Sequence, residues 1–348
     1  MTINHAVSEF IRALPKTELH IHMEGSLSPS TLFYLAERNG RELPFSSPRE
    51  LLANNVYQDF AQFANMLLLH SSVIEKPKDF ALVVYQLGKA LQRDNIRYAE
   101  VIWAPQLHLR KGLSINEIFA AMCWGKDRVK EEFDIEIRWI VDLVRRFPDV
   151  SEKIQRWACS DSSRRAGVVA LGLGGPEIGR SVKPFVPIFA EANRLGLPAC
   201  PHAGEDGNAQ HIWDAIHLLG ANRIGHGTRA IEDPDLLRYL ADEQLPLEVC
   251  LSSNVQTSIT HSYSTHPLRT FLDAGCFVTL NSDDPGIFHT TLSQEYQHAV
   301  ESCAVTEHEL CEIALNGVRA SHLDDDSKSD MLSRFRSEID GALSLYLA

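Results

Sequence analysis

LPACPHAGEDGNAQHIWDAIHLLGANRIGHG, residues 197–227, runs from a short apolar segment through a polar break into an amphipathic stretch, and on into a second apolar segment. Strand, helix, strand in that order is the unit of a parallel sheet, because parallel neighbours need a long crossover and a helix supplies it. Both strand candidates carry a histidine toward their ends, in PHAGE (201–205) and in RIGHG (223–227).

The alternation recurs outward from this unit. Eight short runs rich in apolar or β-branched residues stand between turn residues: TELHIHME (17–24), YAEVIWAP (98–105), EIRWIVDL (136–143), VVALGLGG (168–175), LPACPHAGE (197–205), RIGHG (223–227), PLEVCLSSN (246–254) and FVTLNSDDP (277–285). Amphipathic stretches such as SINEIFAAMCWGKDRVKEEF (114–133), VKPFVPIFAEANRLG (182–196) and DPDLLRYLADEQ (233–244) lie between them. Eight such repeats predict an α/β chain closed into a (β/α)8 TIM barrel, whose strands are buried on both faces and read as nearly continuous apolar runs. An open doubly wound sheet is the other arrangement of the same units. Two segments exceed what a barrel needs. Residues 25–97, after the first strand, are expected to form lid helices, and residues 292–348 a set of C-terminal helices. No linker, repeat or low-complexity tract divides the chain, so residues 1–348 are expected to form one domain.

With 348 residues, 44% of them hydrophobic, the chain can bury a large core. Its formal charge of -13 repels phosphate backbones and anionic lipid. A small-molecule enzyme with no nucleic-acid or membrane partner is the expectation. Seven cysteines, odd in number and without a C-x-x-C pair, read as thiols of a reducing cytoplasm. The N-terminus has no apolar signal region and no window long enough to span a membrane, so a cytoplasmic location is expected.

In a parallel barrel the reactive groups gather at the C-terminal ends of the strands. Here those ends carry His20-x-His22, His202-Ala-Gly-Glu205, His226, and Asn281-Ser-Asp283-Asp284. Side chains at i and i+2 of a strand point the same way, so His20 and His22 can both reach one ion on the barrel axis. His202 and Asp283 would complete a nitrogen-and-oxygen set suited to Zn2+, with a position open for water. Taken singly, an H-x-H pair reads as surface or core histidine and a D-D pair as a turn or cap. Convergence of four strand ends on ligand-type residues is what argues for a metal.

Other features read blandly. GLGGPEIG (172–179) has Glu177 where a phosphate-binding fingerprint needs glycine. H-x-E within HIHMEG is followed by no P-C-x-x-C, which excludes the small zinc deaminases. CLSSN has no G-x-S-x-G elbow and reads as polar strand-end lining. His211, His217, His261, His266 and His289 read as surface or loop histidines, and Phe60 and Phe63 as packing that can wall an apolar pocket.

Taken together, KTELHIHMEGSL, PHAGE, RIGHG, CLSSN and VTLNSDDP resemble the adenosine and adenine deaminase family, a zinc-dependent branch of the amidohydrolase barrels, in order along nearly the whole chain. The resemblance implies one zinc per subunit, held by His20, His22, His202 and Asp283, with His22 also facing the substrate. It implies Glu205 as the acid that protonates purine N1, His226 as the base acting on the attacking water, and Asp283 as its orienting partner. Asp284 would bind the purine at N7, the Gly175 amide at N3, and Glu24 would stand where many adenosine enzymes place an aspartate against the ribose. VVALGLGG contains no lysine to bridge two metals, in keeping with one ion.

The substrate signals point two ways. Glu24 resembles free-adenine deaminases, whereas RIGHG, CLSSNVQT and TTLSQEY resemble the nucleoside enzymes. The expected reaction is hydrolytic deamination of adenosine or 2'-deoxyadenosine to the inosine. The alternatives are adenine and aminodeoxyfutalosine, an adenosine with a large 5' substituent whose deaminase has a GLxGPE-like loop. A non-catalytic binding protein on the same barrel is the rival from another class. The oligomeric state is not legible.

Overall fold

Eight parallel strands follow one another around a ring: β1 (Lys16–His22), β2 (Ile96–Trp103), β3 (Glu136–Val144), β4 (Val168–Gly174), β5 (Ala199–Ala203), β6 (Ile224–His226), β7 (Leu247–Val249) and β8 (Val278–Leu280). The structure is a computed structural model and describes residues 4–53, 57–109 and 112–347. The ring closes at its first and last strands. Ile21 bridges Asp283 in parallel, the His22 amide donates to the Asp283 carbonyl (2.8 Å), and the Asp283 amide donates to that of His20 (2.9 Å). Closure settles the barrel against the open sheet.

Each of the eight apolar runs matches one strand. All but β3, which continues to Val144, stop short of their runs at the C-terminal end, where chains that pack side by side below must splay to surround a mouth. β7 shows this most clearly: it ends at Val249, and LSSNVQ turns into a short helix, Leu251–Gln256, instead of continuing as strand to residue 254. Its turn is held by the Ser252 amide, which donates to Glu295 Oε2 (2.9 Å).

The unit at 197–227 folds as its sequence dictates. Asn208 caps the helix Ala209–Leu219 by accepting from the Gln210 amide, and Gly220, at φ 66°, ends it in the left-handed region. Trp103, Trp139, Phe80 and Phe189 fill the layer between strands and helices, while Ile102, Ile140, Ala170 and Cys200 pack together apart from it.

Between β1 and β2 lie the helices Pro29–Asn39, Pro48–Ala53, Phe60–Ser72 and Pro77–Arg93. Phe63, on the third of them, stacks on Phe288 just after β8 (ring centres 5.0 Å apart), and with Tyr57 and Ile287 they make a small apolar cluster of their own. After β8 come Leu292–Cys303, Glu307–Ala320 and Asp325–Tyr346; residues 1–3, 54–56 (within the expected lid), 110–111 and 348 of the expected domain lie outside the described residues. All seven cysteines are free thiols. Among the described residues no helix is long and apolar enough to cross a membrane.

Candidate active site

His20, His22, His202 and Asp283 meet at the C-terminal mouth. His22 Nε2 lies 3.1 Å from His202 Nε2, and Asp283 Oδ1 lies 3.4 Å from His20 Nε2 and 3.3 Å from His22 Nε2. The near edge of His226 joins them, its Nε2 4.0 Å from Asp283 Oδ2 and 3.6 Å from Glu205 Oε1. One ligand atom each from His20, His202, His226 and Asp283 fits within 4.8 Å. His20 Nε2 is buried without a hydrogen-bond partner, as a nitrogen atom aimed at an ion is. Crowding of this kind requires glycine at Gly225, where a Cβ would fall 2.7 Å from the His20 ring. Asp283 and His226 both sit at φ 61°, a left-handed conformation uncommon for non-glycine residues.

Beneath the cluster runs a buried column of charge. His20 Nδ1 donates to Glu248 Oε2 (2.7 Å), and Arg223, at the foot of β6, donates Nε to Glu248 Oε1 (2.5 Å) and Nη2 to Glu100 Oε2 (2.6 Å). Glu100 accepts further from Tyr98 Oη (2.7 Å) and the His322 amide (2.6 Å). Glu248 therefore fixes the tautomer of His20 so that Nε2 faces the cluster. Sequence reasoning missed Glu100, Arg223 and Glu248.

Electrostatics divide the histidines. Burial lowers the His20 imidazole, but Asp283 and Glu248 overcome it and bring it up to about 9. Burial wins at His202 and His226, aided by the neighbouring imidazoles, and His226 falls to about 3. A second relay orients His226. The Leu268 amide donates to His266 Nδ1, His266 Nε2 to Asn254 Oδ1, and Asn254 Nδ2 to His226 Nδ1, each at 3.1 Å. With Nδ1 accepting, the neutral His226 ring carries its proton on Nε2. His266, expected at the surface, is instead buried in this relay, because CLSSN turns inward as a helix and Asn254 needs a partner.

Glu205 is buried, and burial together with the Asp283 charge lifts its carboxyl well above the usual range. Its loop is clamped by Glu177, whose carboxylate accepts from the Gly204 (2.9 Å) and Glu205 (2.8 Å) amides. The glutamate that broke the phosphate fingerprint thus has a structural task. Asp284, also raised well above its usual range by burial and then by Asp283, has its Oδ1 unpaired. Glu24 lies past the end of β1 in a short turn and accepts from His108 Nε2 (2.9 Å) and the Ala104 amide (3.2 Å). Burial raises its carboxyl, but His108 outweighs burial and holds it below its usual value.

These groups floor a cavity of about 320 Å³. Phe60, Phe63, Leu67, Leu107 and Val144 wall it, Gly175 (φ 87°) lines one side, and Arg146 and Arg180 stand at its rim. Asp142 of β3 also lines it and was missed. It is buried with Oδ1 unpaired, and Gly172 and Gly174 make room for it, since a Cβ on either would come within 2.4 Å of its carboxylate. Burial pushes Asp142 up to about 7.

A parallel barrel with imidazoles and carboxylates converging at its C-terminal mouth defines a barrel enzyme with its active site at that face. Within that class the chain is a member of the adenosine deaminase family, whose model matches residues 15–338. It is accordingly a hydrolytic purine deaminase, acting on a C–N bond. An aminodeoxyfutalosine deaminase of Streptomyces coelicolor is 38% identical over 340 residues, covering 97% of this chain and 87% of that one. An adenine deaminase of Cupriavidus necator is 34% identical over 333 residues, covering 96% and 94%. The crystal structure of an adenine deaminase from Arthrobacter aurescens is 29% identical and superimposes with a TM-score of 0.89 over 94% of this chain and 99% of that one.

Proposed function

We propose that the protein deaminates a 6-aminopurine nucleoside with an extended 5' substituent, of the aminodeoxyfutalosine kind. The observation that carries this reading is the cavity: beyond the carboxylates of the floor, its lining takes in Phe60, Phe63, Val144, Phe147 and two exposed arginines, Arg146 and Arg180. The similarity to the Streptomyces protein supports it over adenosine itself, the substrate expected from sequence.

His20, His22, His202 and Asp283 would hold a zinc ion, and the unpaired buried His20 Nε2 and the short distances among these four side chains fit one. Zinc in such a site supplies Lewis acidity that brings a water to the edge of ionisation near neutral pH. His226, neutral and with its proton on Nε2, donates to that water and aims it at purine C6. In this reading the base role expected for His226 passes to Asp283, an ionised carboxylate held well below its usual range against burial by His20 and His22. Glu205, still protonated, donates to N1 as C6 becomes tetrahedral. Asp284, kept protonated, donates its hydroxyl to N7, and the Gly175 amide lies on the side of N3. The proton taken from water leaves with ammonia, and as the C6–N bond breaks the hydroxyl proton on C6 passes to Glu205, which forms the C6 carbonyl and restores the acid.

The test is ammonia release by zinc-loaded protein from adenine, adenosine, 2'-deoxyadenosine and aminodeoxyfutalosine. The highest kcat/KM is expected for the last; adenine as the best substrate would overturn the reading in favour of a base deaminase.

A further inference from the structure

We propose that Asp142 is a specificity-determining residue that accepts a hydrogen bond from a ribose hydroxyl of the substrate, at the 2' or the 3' position. The proposal rests on the nucleoside reading and adds to it the contact that tells ribose from deoxyribose.

Ile140, Asp142 and Val144 alternate along β3 and so share the face turned into the barrel. Beneath Asp142, the side chains of Ile102, Ile140, Ala170 and Cys200 pack into an apolar layer that offers it no donor. Asp142 stands above that layer in the wall of the cavity, only 3% exposed, with Oδ1 buried and unpaired. Among the described residues it makes no ion pair. Arg145, three residues along, gives its guanidinium instead to the carbonyls of Gly175 (2.9 Å) and His202 (2.7 Å). A carboxylate left unpaired inside a barrel is costly, and β4 bears a second cost on its behalf. Neither Gly172 nor Gly174 takes a left-handed φ, so the backbone does not call for glycine at either, and glycine weakens a strand. A Cβ at Gly172 would fall 2.4 Å from Asp142 Oδ1, and one at Gly174 2.4 Å from Oδ2. Both glycines thus serve the carboxylate.

The proposed orientation of the purine identifies the donor. N1 is turned to Glu205 after β5, N3 to Gly175 after β4, and N7 to Asp284 after β8. Strands follow one another in order around the ring, so N9 and its sugar face the side built by β1 to β3. N3 and N7 are acceptors and offer a carboxylate nothing, and the amine on C6 lies at the histidine cluster. The sugar hydroxyls are the donors that remain. On this side Glu24 already has Oε1 engaged by His108 Nε2 (2.9 Å) and the Ala104 amide (3.2 Å), whereas Asp142 is unengaged. An acceptor set among apolar neighbours discriminates strongly, because a substrate lacking the hydroxyl leaves it unpaired and out of water.

The test takes the nucleoside with the highest kcat/KM in the substrate panel and compares it with its 2'-deoxy and 3'-deoxy forms, using wild type, D142A and G174A. Wild type should favour the ribose form over at least one deoxy form by about tenfold or more, the scale of a hydrogen bond to a buried charged group. In D142A that ratio should fall to near unity. G174A keeps the aspartate but sets a methyl group against its Oδ2, and should lower the ratio in the same direction. The hydroxyl whose advantage disappears is the one Asp142 holds. Equal use of the ribose and both deoxy forms by wild type overturns the contact and leaves the nucleoside reading standing. So does a ratio preserved in D142A while all three rates drop together, the mark of a merely structural aspartate. If D142A does not fold, an unchanged ratio in G174A overturns the contact. Adenine as the best substrate overturns the nucleoside reading, and the sugar contact with it.

Discussion

The barrel is charged below the histidine cluster and apolar above it. Below, Glu248, Arg223 and Glu100 are each no more than 1% exposed and bond one another in a fixed column that ends on His20. Above, aromatic and aliphatic side chains contributed by a helix inserted after β1 enclose a cavity that opens to solvent. Buried, mutually satisfied ion pairs hold one geometry, because loosening any member strands a charge in a medium that cannot solvate it. Apolar walls impose shape but little direction. The lower end thus sets reactivity, and the upper end selects what reacts. Changes below should depress every substrate alike; changes above should reorder substrates.

The largest effect is expected at the cluster. Asp283→Ala should lose both zinc, by elemental analysis, and all measurable turnover; full metal occupancy in this variant would remove Asp283 from the ligand set. Glu205→Gln should keep zinc and lose about 10²–10⁴-fold in kcat, the worth of a placed general acid. Near-normal turnover would return the acid role to another group. Both losses should be the same for every substrate.

One layer down, Glu248→Gln should weaken zinc affinity by about 10–100-fold, as removing the partner of a ligand histidine does. Arg223→Met should destabilise the fold by roughly 3–5 kcal/mol by leaving Glu100 and Glu248 buried without a cation. Chemical denaturation of the two variants separates the effects. Wild-type zinc affinity in Glu248→Gln would disconnect the column from reactivity.

These two ends were not equally legible. His20, His22, His202 and Asp283 stand in short motifs at strand ends, where the alternation of side chains tells which way they point. Glu100, Asp142 and Glu248 stand in YAEVIW, IVDLV and LEV, each a lone carboxylate inside an apolar run. A charge in a strand buried on both faces must have a partner, so the signal was there; the partner's identity was not, since pairing runs across the barrel between strands remote in sequence. The partner of Glu24 was hidden in the same way, because His108 arrives from the short helix Pro105–Leu109 after β2. The inward turn of CLSSN was hidden because a serine-rich strand end and a short buried helix share a composition.

Asp142 lies between the two ends and offers a pH test. Its ordinary value of 3.8 applies to the unfolded chain, and burial raises the folded value to about 7. A raised carboxyl stabilises the fold in full below the lower value, and that stability is lost as pH rises through the higher one. Asp142→Asn, which mimics the neutral form, should therefore match wild-type Tm below about pH 4, exceed it increasingly up to about pH 7, and keep a constant advantage above that. A Tm difference that stays flat with pH would mean the carboxylate is ionised and solvated in the cavity, and the floor would then extend higher up the barrel than its neighbours suggest.

The smallest effect belongs to the wall. Phe60 is half-buried and touches the cavity edge-on to Phe63 (ring centres 5.5 Å apart), whereas Phe63 also stacks on Phe288 and anchors the inserted helix. Phe60→Ala removes apolar contact without removing the anchor, so its cost should appear in KM, by a few-fold, with kcat and zinc content unchanged. The increase should be larger for a 5'-extended nucleoside than for adenine, because only the longer substrate reaches this wall. Equal increases for both would mean that the wall touches the purine, and selection would then begin at the floor.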